Sequence, residues 1–433
     1  MKRKELSRRA FITKAAASAA AVTIGACDKR NPMGTDIRKP SAPTGLQAAY
    51  RSGGVIQLSW KKHPLTDLDN SPTETAVIYR VYRDGSLLTP SDLEANAYTD
   101  TQIVEDSVYS YAVTAVDASG NESTLSAAAR VRAGGKTRLS IFQSASLAPG
   151  GKIDAAAVRI VLDAAIKDFT GISDIGAAYE SLFPDITAAK TIAVKVNCLA
   201  VAIPTHPQIV EALVGGLTRM LGGTFPAYNV IVFDDRDMAT QMAPSGYPAR
   251  NEAGRYRCQT TKGNWISTPA AGSTTQFLSK VVNDADYLVN IPILKVHPES
   301  GVTFSLKNYY GIISNPAGAH GNYCNPMIAE IYSLAVDKTR LIIGDAIFGS
   351  YNGDNTTPPN ISPAPCSLYV GTDPVAMDLY ALWRINKERQ NKNRPVISCA
   401  ADGMARHITT AGSAPYYLGD LGFIPSDGME TIL

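Results

Sequence analysis

Two lysines and a histidine stand at the ends of apolar runs in this sequence, and carboxylates end several others. Lys195 and Asn197 finish T-I-A-V-K-V-N (191–197), and Asp234 and Asp235 finish N-V-I-V-F-D-D (229–235). Lys295 and His297 follow Y-L-V-N-I-P-I-L (287–294), Asp345 closes R-L-I-I-G-D (340–345), and Asp373 closes S-L-Y-V-G-T-D (367–373). Lysine and histidine suit an anion through charge-assisted hydrogen bonds, whereas grouped carboxylates suit a divalent cation. Lys295 and His297 are two apart, so an extended backbone points them the same way. Thr303 and Lys307 are four apart, so a helix puts them on one face with Asn308 alongside. Lys307 lies in the apolar and aromatic stretch F-S-L-K-N-Y-Y-G, where an unpaired charge is costly to bury. Lys195, Asn197, Lys295, Thr303, Lys307 and Asn308 are therefore the ligand-binding candidates. His297 is the general acid/base candidate, because an unperturbed histidine titrates near neutrality. Asp234, Asp235 and Asp345 are candidate oxygen ligands for a divalent metal, although no D-x-D-x-D loop or H-E-x-x-H helix accompanies them. His206 reads as a helix-start residue, and His320 and His407 read as surface or structural histidines. No G-x-S-x-G elbow, Walker loop or G-x-G-x-x-G fingerprint occurs.

The elements that must position these residues alternate between apolar β runs and amphipathic helices from about residue 137 onward. The spacing predicts a helix over 206–222, with Ile209, Val210, Leu213, Val214, Leu217, Met220 and Leu221 on one stripe, Thr205 as its cap and Pro207 in its first turn. Asp373-Pro374 opens another. Continuous apolar strands alternating with helices predict an α/β fold, a mostly parallel sheet with helices on both faces. In such sheets ligands bind beyond the carboxyl ends of the strands, so five strand ends are expected to converge on one cleft.

Residues 41–133 differ in texture. Short alternating runs such as V-I-Q-L-S-W and Y-S-Y-A-V-T-A-V-D are separated by turn residues, among them Asp84-Gly85. Tyr109, Tyr111, Val113 and Ala115 share one strand face. With P-S-A-P-T-G-L at its start, Trp60 at a core position and I-V-E-D-S-V-Y (103–109) at a tyrosine corner, this stretch resembles a fibronectin type III domain. The resemblance implies an N-terminal all-β sandwich. A Gly-Gly-Lys junction (134–136) separates it from the α/β domain, 137–433.

Residues 1–26 pair a basic segment with an apolar stretch too short to span a hydrocarbon core of about 30 Å. Arg8-Arg9, flanked by Ser7, Phe11 and Lys14, resembles a twin-arginine export signal. Ile24-Gly25-Ala26-Cys27 resembles a lipobox, which implies acylation at Cys27 and a membrane anchor; residues 28–40, polar with two prolines, read as a tether. The partners implied are the twin-arginine translocation machinery and the lipoprotein-processing enzymes. The expected location is exported, periplasmic or cell-surface.

The chain has 433 residues, with 41 basic and 39 acidic. Without the signal segment the balance becomes 35 to 38, a net charge of −3, which gives no support to nucleic-acid binding. Cys198, Cys258, Cys324, Cys366 and Cys399 lack C-x-x-C spacing, so there is no zinc-ribbon or iron-sulfur motif. Five is odd, so at least one thiol stays free, and the sequence does not choose a disulfide pairing.

A-D-Y-L-V-N-I-P-I-L-K-V-H-P-E-S-G-V-T-F-S-L-K-N-Y-Y-G (285–311) resembles the signature of domain-of-unknown-function family 362. So do V-K-V-N (194–197), T-H-P-Q-I-V-E-A-L (205–213), G-D-A-I-F-G-S-Y-N-G (344–353) and G-T-D-P-V-A-M-D (371–378). The resemblance implies a fold and a site rather than a reaction. Two functional classes stand: a membrane-tethered enzyme acting on a small phosphate- or carboxylate-bearing ligand, with a divalent metal as a candidate cofactor, or a non-catalytic lipoprotein that binds a glycan or small anion or serves as an envelope scaffold.

Overall fold

The computed structural model describes residues 36–433 apart from 52–54, 66–76, 90–91, 105–106, 134–136, 270–275, 355, 414–415 and 417. The stretch expected to act as an export signal, with Arg8, Arg9 and Cys27, most of the expected tether, and residues 134–136 lie outside the described residues.

Among the described residues, seven strands make two antiparallel sheets. These are β1 (Gln47–Arg51), β2 (Val55–Ser59), β3 (Val77–Arg83), β4 (Ser86–Leu87), β5 (Ala97–Asp100), β6 (Val108–Asp117) and β7 (Ala129–Arg132). The orders are β1-β2-β5 and β4-β3-β6-β7. Alternation places Ile56, Leu58, Tyr79, Val81, Tyr111, Val113 and Ala115 in one core with Trp60. Trp60 meets Tyr79 edge to face, with ring centroids 5.3 Å apart. At the expected tyrosine corner the Val104 amide donates to the Tyr109 hydroxyl at 2.8 Å. Asp84 and Gly85 both have positive φ, the backbone that a two-residue hairpin turn requires.

The larger sheet uses β8 (Ser140–Gln143), β9 (Ile192–Lys195), β10 (Val230–Asp234) and β11 (Arg257–Thr260). The hairpins β12 (Trp265–Pro269)/β13 (Phe277–Ser279) and β15 (Lys295–His297)/β16 (Gly301–Thr303) stand apart from it. Completing the sheet are β14 (Tyr287–Asn290), β17 (Thr339–Ala346), β18 (Ser367–Gly371) and β19 (Glu430–Ile432), in the order β11-β10-β9-β14-β17-β18-β8-β19. The sheet is mixed. The first five strands are parallel, but β18 runs antiparallel to both β17 and β8. Side-chain alternation feeds two cores. Ile192, Val194, Val230, Val232 and Val289 pack with helices α1 (Ala155–Thr170), α2 (Ile175–Ser181) and α3 (Pro207–Leu217). Ala193, Ile231, Phe233 and Leu288 pack with helix α4 (Pro374–Asn391) and the 304–335 segment on the other face.

Several element boundaries differ from the sequence reading. The helix expected over 206–222 is α3, which stops at Leu217; a kinked turn with Leu221 and Gly222 at positive φ follows. His206 is its N-cap, as a helix-start residue should be. Thr205 does not cap it. The Thr205 hydroxyl accepts from the Asn197 amide and donates to the Ile291 carbonyl, which ties the β9 end to the β14 end. Asp373 caps α4 through the Val375 and Ala376 amides. Because β18 is reversed, Asp373 leaves the opposite edge of the sheet from Asp234 and Lys195.

Candidate functional site

A cavity of about 410 Å³ lies beyond the carboxyl ends of β9 and β10, under the β15/β16 hairpin and the segment 307–320. Lys195, Asn197, Asp234, Asp235, His297, Thr303, Lys307 and Asn308 all line it. Parallel neighbouring strands bring the first four together, since β9 and β10 end side by side with Lys195 opposite Phe233. The hairpin register sets Lys295 opposite Thr303, and the short helix Ser305–Asn308 then presents Lys307 and Asn308.

Lys195 Nζ lies 2.9 Å from Asp234 Oδ1, with both side chains buried, and also donates to the Val196 carbonyl at 2.6 Å. Asp234 Oδ2 accepts the Cys198 amide. Burial alone would raise the Asp234 pKa, but Lys195 and Arg236 outweigh it and hold it down. Burial and the Asp234 charge push Asp235 up to about 6 despite its pairing with Arg236. Gly311 closes over this pair. A methyl there would stand 2.6 Å from both Asp234 Oδ1 and Lys195 Cε, so only glycine permits the approach.

Lys295 does not line the cavity but stands behind it, donating to Asn197 Oδ1 at 3.0 Å. The Asn197 amide group in turn donates to Asn308 Oδ1 at 3.1 Å, and Asn308 donates to Asn290. This network locks the first layer of polar groups against rotation. Burial lowers Lys295 to about 8, with Asp234 opposing.

Lys307 is buried against Tyr310, its Nζ 3.7 Å from the ring centroid, and reaches His320 Nε2 at 3.2 Å and Cys324 Sγ at 3.3 Å. Burial depresses its pKa. His297 stacks on His320 with centroids 5.4 Å apart. The Glu299 and Ser300 amides both donate to His297 Nδ1, so the neutral ring carries its proton on Nε2. Burial first, then Lys307 and His320, lower His297 to about 2. His320 is also lowered, by burial and Lys307.

Two sequence expectations are corrected. The three aspartates proposed to share a metal are not brought together. Asp345 is buried against His206, whose Nδ1 lies 2.7 Å from Asp345 Oδ2, while Asp234 and Asp235 answer Lys195 and Arg236. Among the described residues no group of three or more His, Cys, Asp or Glu side chains could hold a metal ion. His320, read as surface or structural, lines the cavity. His407 is fully buried near Asp378, with Nε2 3.6 Å from Oδ2. Sequence reasoning also missed Arg236, Tyr310 and Gly311. Their only signal was adjacency, to Asp234-Asp235 in one case and to Lys307-Asn308 in the others. A larger, open hollow of about 710 Å³ lies elsewhere, beside Asp174, Glu180 and Arg219. Its polar groups are satisfied internally: Asp174 caps α2, Glu180 accepts the Leu221 amide, and Arg219 pairs with Asp163.

Residues 192–383 match the family described as "Domain of unknown function (DUF362)". The DUF362 span contains every residue that lines the cavity. The chain is 39% identical over 88 residues to a poly(3-hydroxybutyrate) depolymerase of Ralstonia pickettii, covering 20% of this chain and 16% of that protein. It is 35% identical over 102 residues to an alpha-amylase of Niallia circulans, covering 23% and 7%. The chain thus spans less than a fifth of these curated relatives. An Fn3-like protein from Clostridium thermocellum is 27% identical, covering 23% of this chain and 97% of that one, with a TM-score of 0.18. A family 28 exopolygalacturonase of Yersinia enterocolitica is 16% identical, covering 28% and 26%, with a TM-score of 0.19. The Fn3-like structures cover the N-terminal region, outside the DUF362 span.

Proposed function

We propose that the cavity binds a small phosphate- or carboxylate-bearing ligand and that the chain is an exported, membrane-tethered enzyme acting on it. The observation that supports this most is Lys307. Its ammonium is buried among His320, Cys324 and Tyr310, with no carboxylate in salt-bridge reach among the described residues. A buried cation without a counter-charge is costly, and an anion in the cavity would supply that charge. Lys195 and Arg236 are neutralised by Asp234 and Asp235, so the surplus positive charge belongs to Lys295 and Lys307. His297 is the acid/base candidate, since an anion beside it would raise its depressed pKa toward neutrality.

A second reading is a non-catalytic anion-binding lipoprotein. It is favoured by the His297 ring, whose Nδ1 already accepts two amides and whose Nε2–H serves as a fixed donor. The test is a thermal-shift and calorimetric screen of phosphorylated metabolites and carboxylates against wild type, Lys307→Ala and His297→Ala. A charged hydrogen bond contributes about 1.5–3 kcal/mol, so Lys307→Ala should weaken binding roughly ten- to over a hundredfold. In an enzyme His297→Ala lowers turnover by about 10² to 10⁴; in a binder it lowers affinity only. Variants that keep the wild-type ligand shifts while melting earlier would overturn the site.

A further inference from the structure

Thr303 is 4% exposed and lines the cavity, yet its hydroxyl has no hydrogen-bond partner among the described residues. A buried hydroxyl left unpaired costs free energy comparable to a lost hydrogen bond, so such a group needs an explanation. His297 presents a second donor of the same kind. Two backbone amides occupy Nδ1, the proton sits on Nε2, and among the described residues no acceptor bonds it. The Lys307 ammonium, held by His320, Cys324 and the Tyr310 ring, adds a buried positive charge with no carboxylate in salt-bridge reach among the described residues. All three line one cavity. Asp234 and Asp235, which could repel an anion, are each paired to a cation on the other wall.

We infer that Thr303, His297 and Lys307 form a seat for a phosphoryl group, so that the ligand is a phosphomonoester rather than a carboxylate. The inference deepens the anion-binding reading and rests on it. A carboxylate offers two oxygens with their lone pairs in one plane, so donors from β15, β16 and the Ser305–Asn308 helix would have to share them. A phosphoryl group presents three terminal oxygens in a pyramid and satisfies all three donors at once. Its second negative charge matches the buried Lys307 ammonium. Thr303 is then the residue that distinguishes the two headgroups, because it is the buried neutral donor that gains an oxygen of its own from the phosphoryl group.

The experiment compares phenyl phosphate with benzoate, two ligands sharing an aryl body, by calorimetry on the purified full-length protein. Inorganic phosphate and sulfate are run alongside. Wild type should prefer phenyl phosphate by about tenfold or more, the gain expected from one further charge-assisted hydrogen bond. Thr303→Val should remove most of that preference with little change in benzoate affinity, and Thr303→Ser, which restores the hydroxyl, should recover it. Circular dichroism melts confirm that each variant is folded. Should Thr303→Val fail to fold, the preference of Thr303→Ser and of His297→Gln decides the same point. Equal affinity for the two aryl ligands in wild type, or an unchanged ratio in folded Thr303→Val, overturns the phosphoryl seat while leaving anion binding intact. No binding by any of the four anions overturns both.

Discussion

The ammonium of Lys195 stands 2.9 Å from the carboxylate of Asp234, at the ends of adjacent parallel strands, and their side chains are 1% and 4% exposed. Removing one partner strands the other as a buried charge. Lys195→Met or Asp234→Leu alone should each cost about 3–5 kcal/mol in urea unfolding, and the double variant should regain much of that. Gly311→Ala forces a methyl against the same pair and should cost about 1–3 kcal/mol. Single variants of wild-type stability would mean that water reaches the pair.

Stability should depend on pH with two opposed limbs. Burial lowers the His206 pKa but Asp345 more than offsets it, so the folded value lies above 6.5. The native state then holds the extra proton, and this contribution is complete below 6.5 and lost as pH rises through the folded value. His297 has the opposite sign. With its folded value at about 2 against 6.5, the unfolded chain takes up a proton that the native ring refuses, so stability falls as pH drops below 6.5. Urea midpoints against pH should show His206→Gln flattening the alkaline limb and His297→Gln the acid limb. Asp234, lowered from 3.8, contributes stability that is lost only at still lower pH. A variant that leaves its limb unchanged argues against the assignment of that residue.

The all-β segment buries Trp60 against Tyr79 inside its own core. A fragment spanning 41–133 is expected to fold alone with a cooperative melt. Trp60→Ala should cost about 3–5 kcal/mol and leave that fragment unfolded. Differential scanning calorimetry of both forms is the check, and a fragment without a transition would move the boundary.

The export assignment depends on Arg8, Arg9 and Cys27. Replacing both arginines with lysine should hold the precursor in the cytoplasm, as read by cell fractionation. Cys27→Ser should abolish metabolic lipid labelling and release a soluble form. Undiminished labelling of that variant would remove the anchor.

By itself the sequence determined which residues could carry charge to the ends of buried strands. Period-2 alternation sent Val194 and Val232 to one core and Ala193 and Phe233 to the other, leaving Lys195 and Asp234 at the strand ends. It likewise set Lys295 and His297 two apart and Lys307 beside Asn308, because local backbone geometry follows directly from spacing. Strand order and direction come from packing between distant segments, and only the tertiary structure decided them. The reversal of β18 removes Asp373 from the cleft, and the partnership with His206 draws Asp345 away from Asp234. The same packing folds 307–320 over the strand ends, adding His320, Tyr310 and Gly311 to the wall. Those contacts join residues more than seventy positions from Asp234, and more than a hundred from Lys195, to the wall that this pair forms. Their physical basis is the pairing and burial of one segment against another, which no periodicity within either segment encodes.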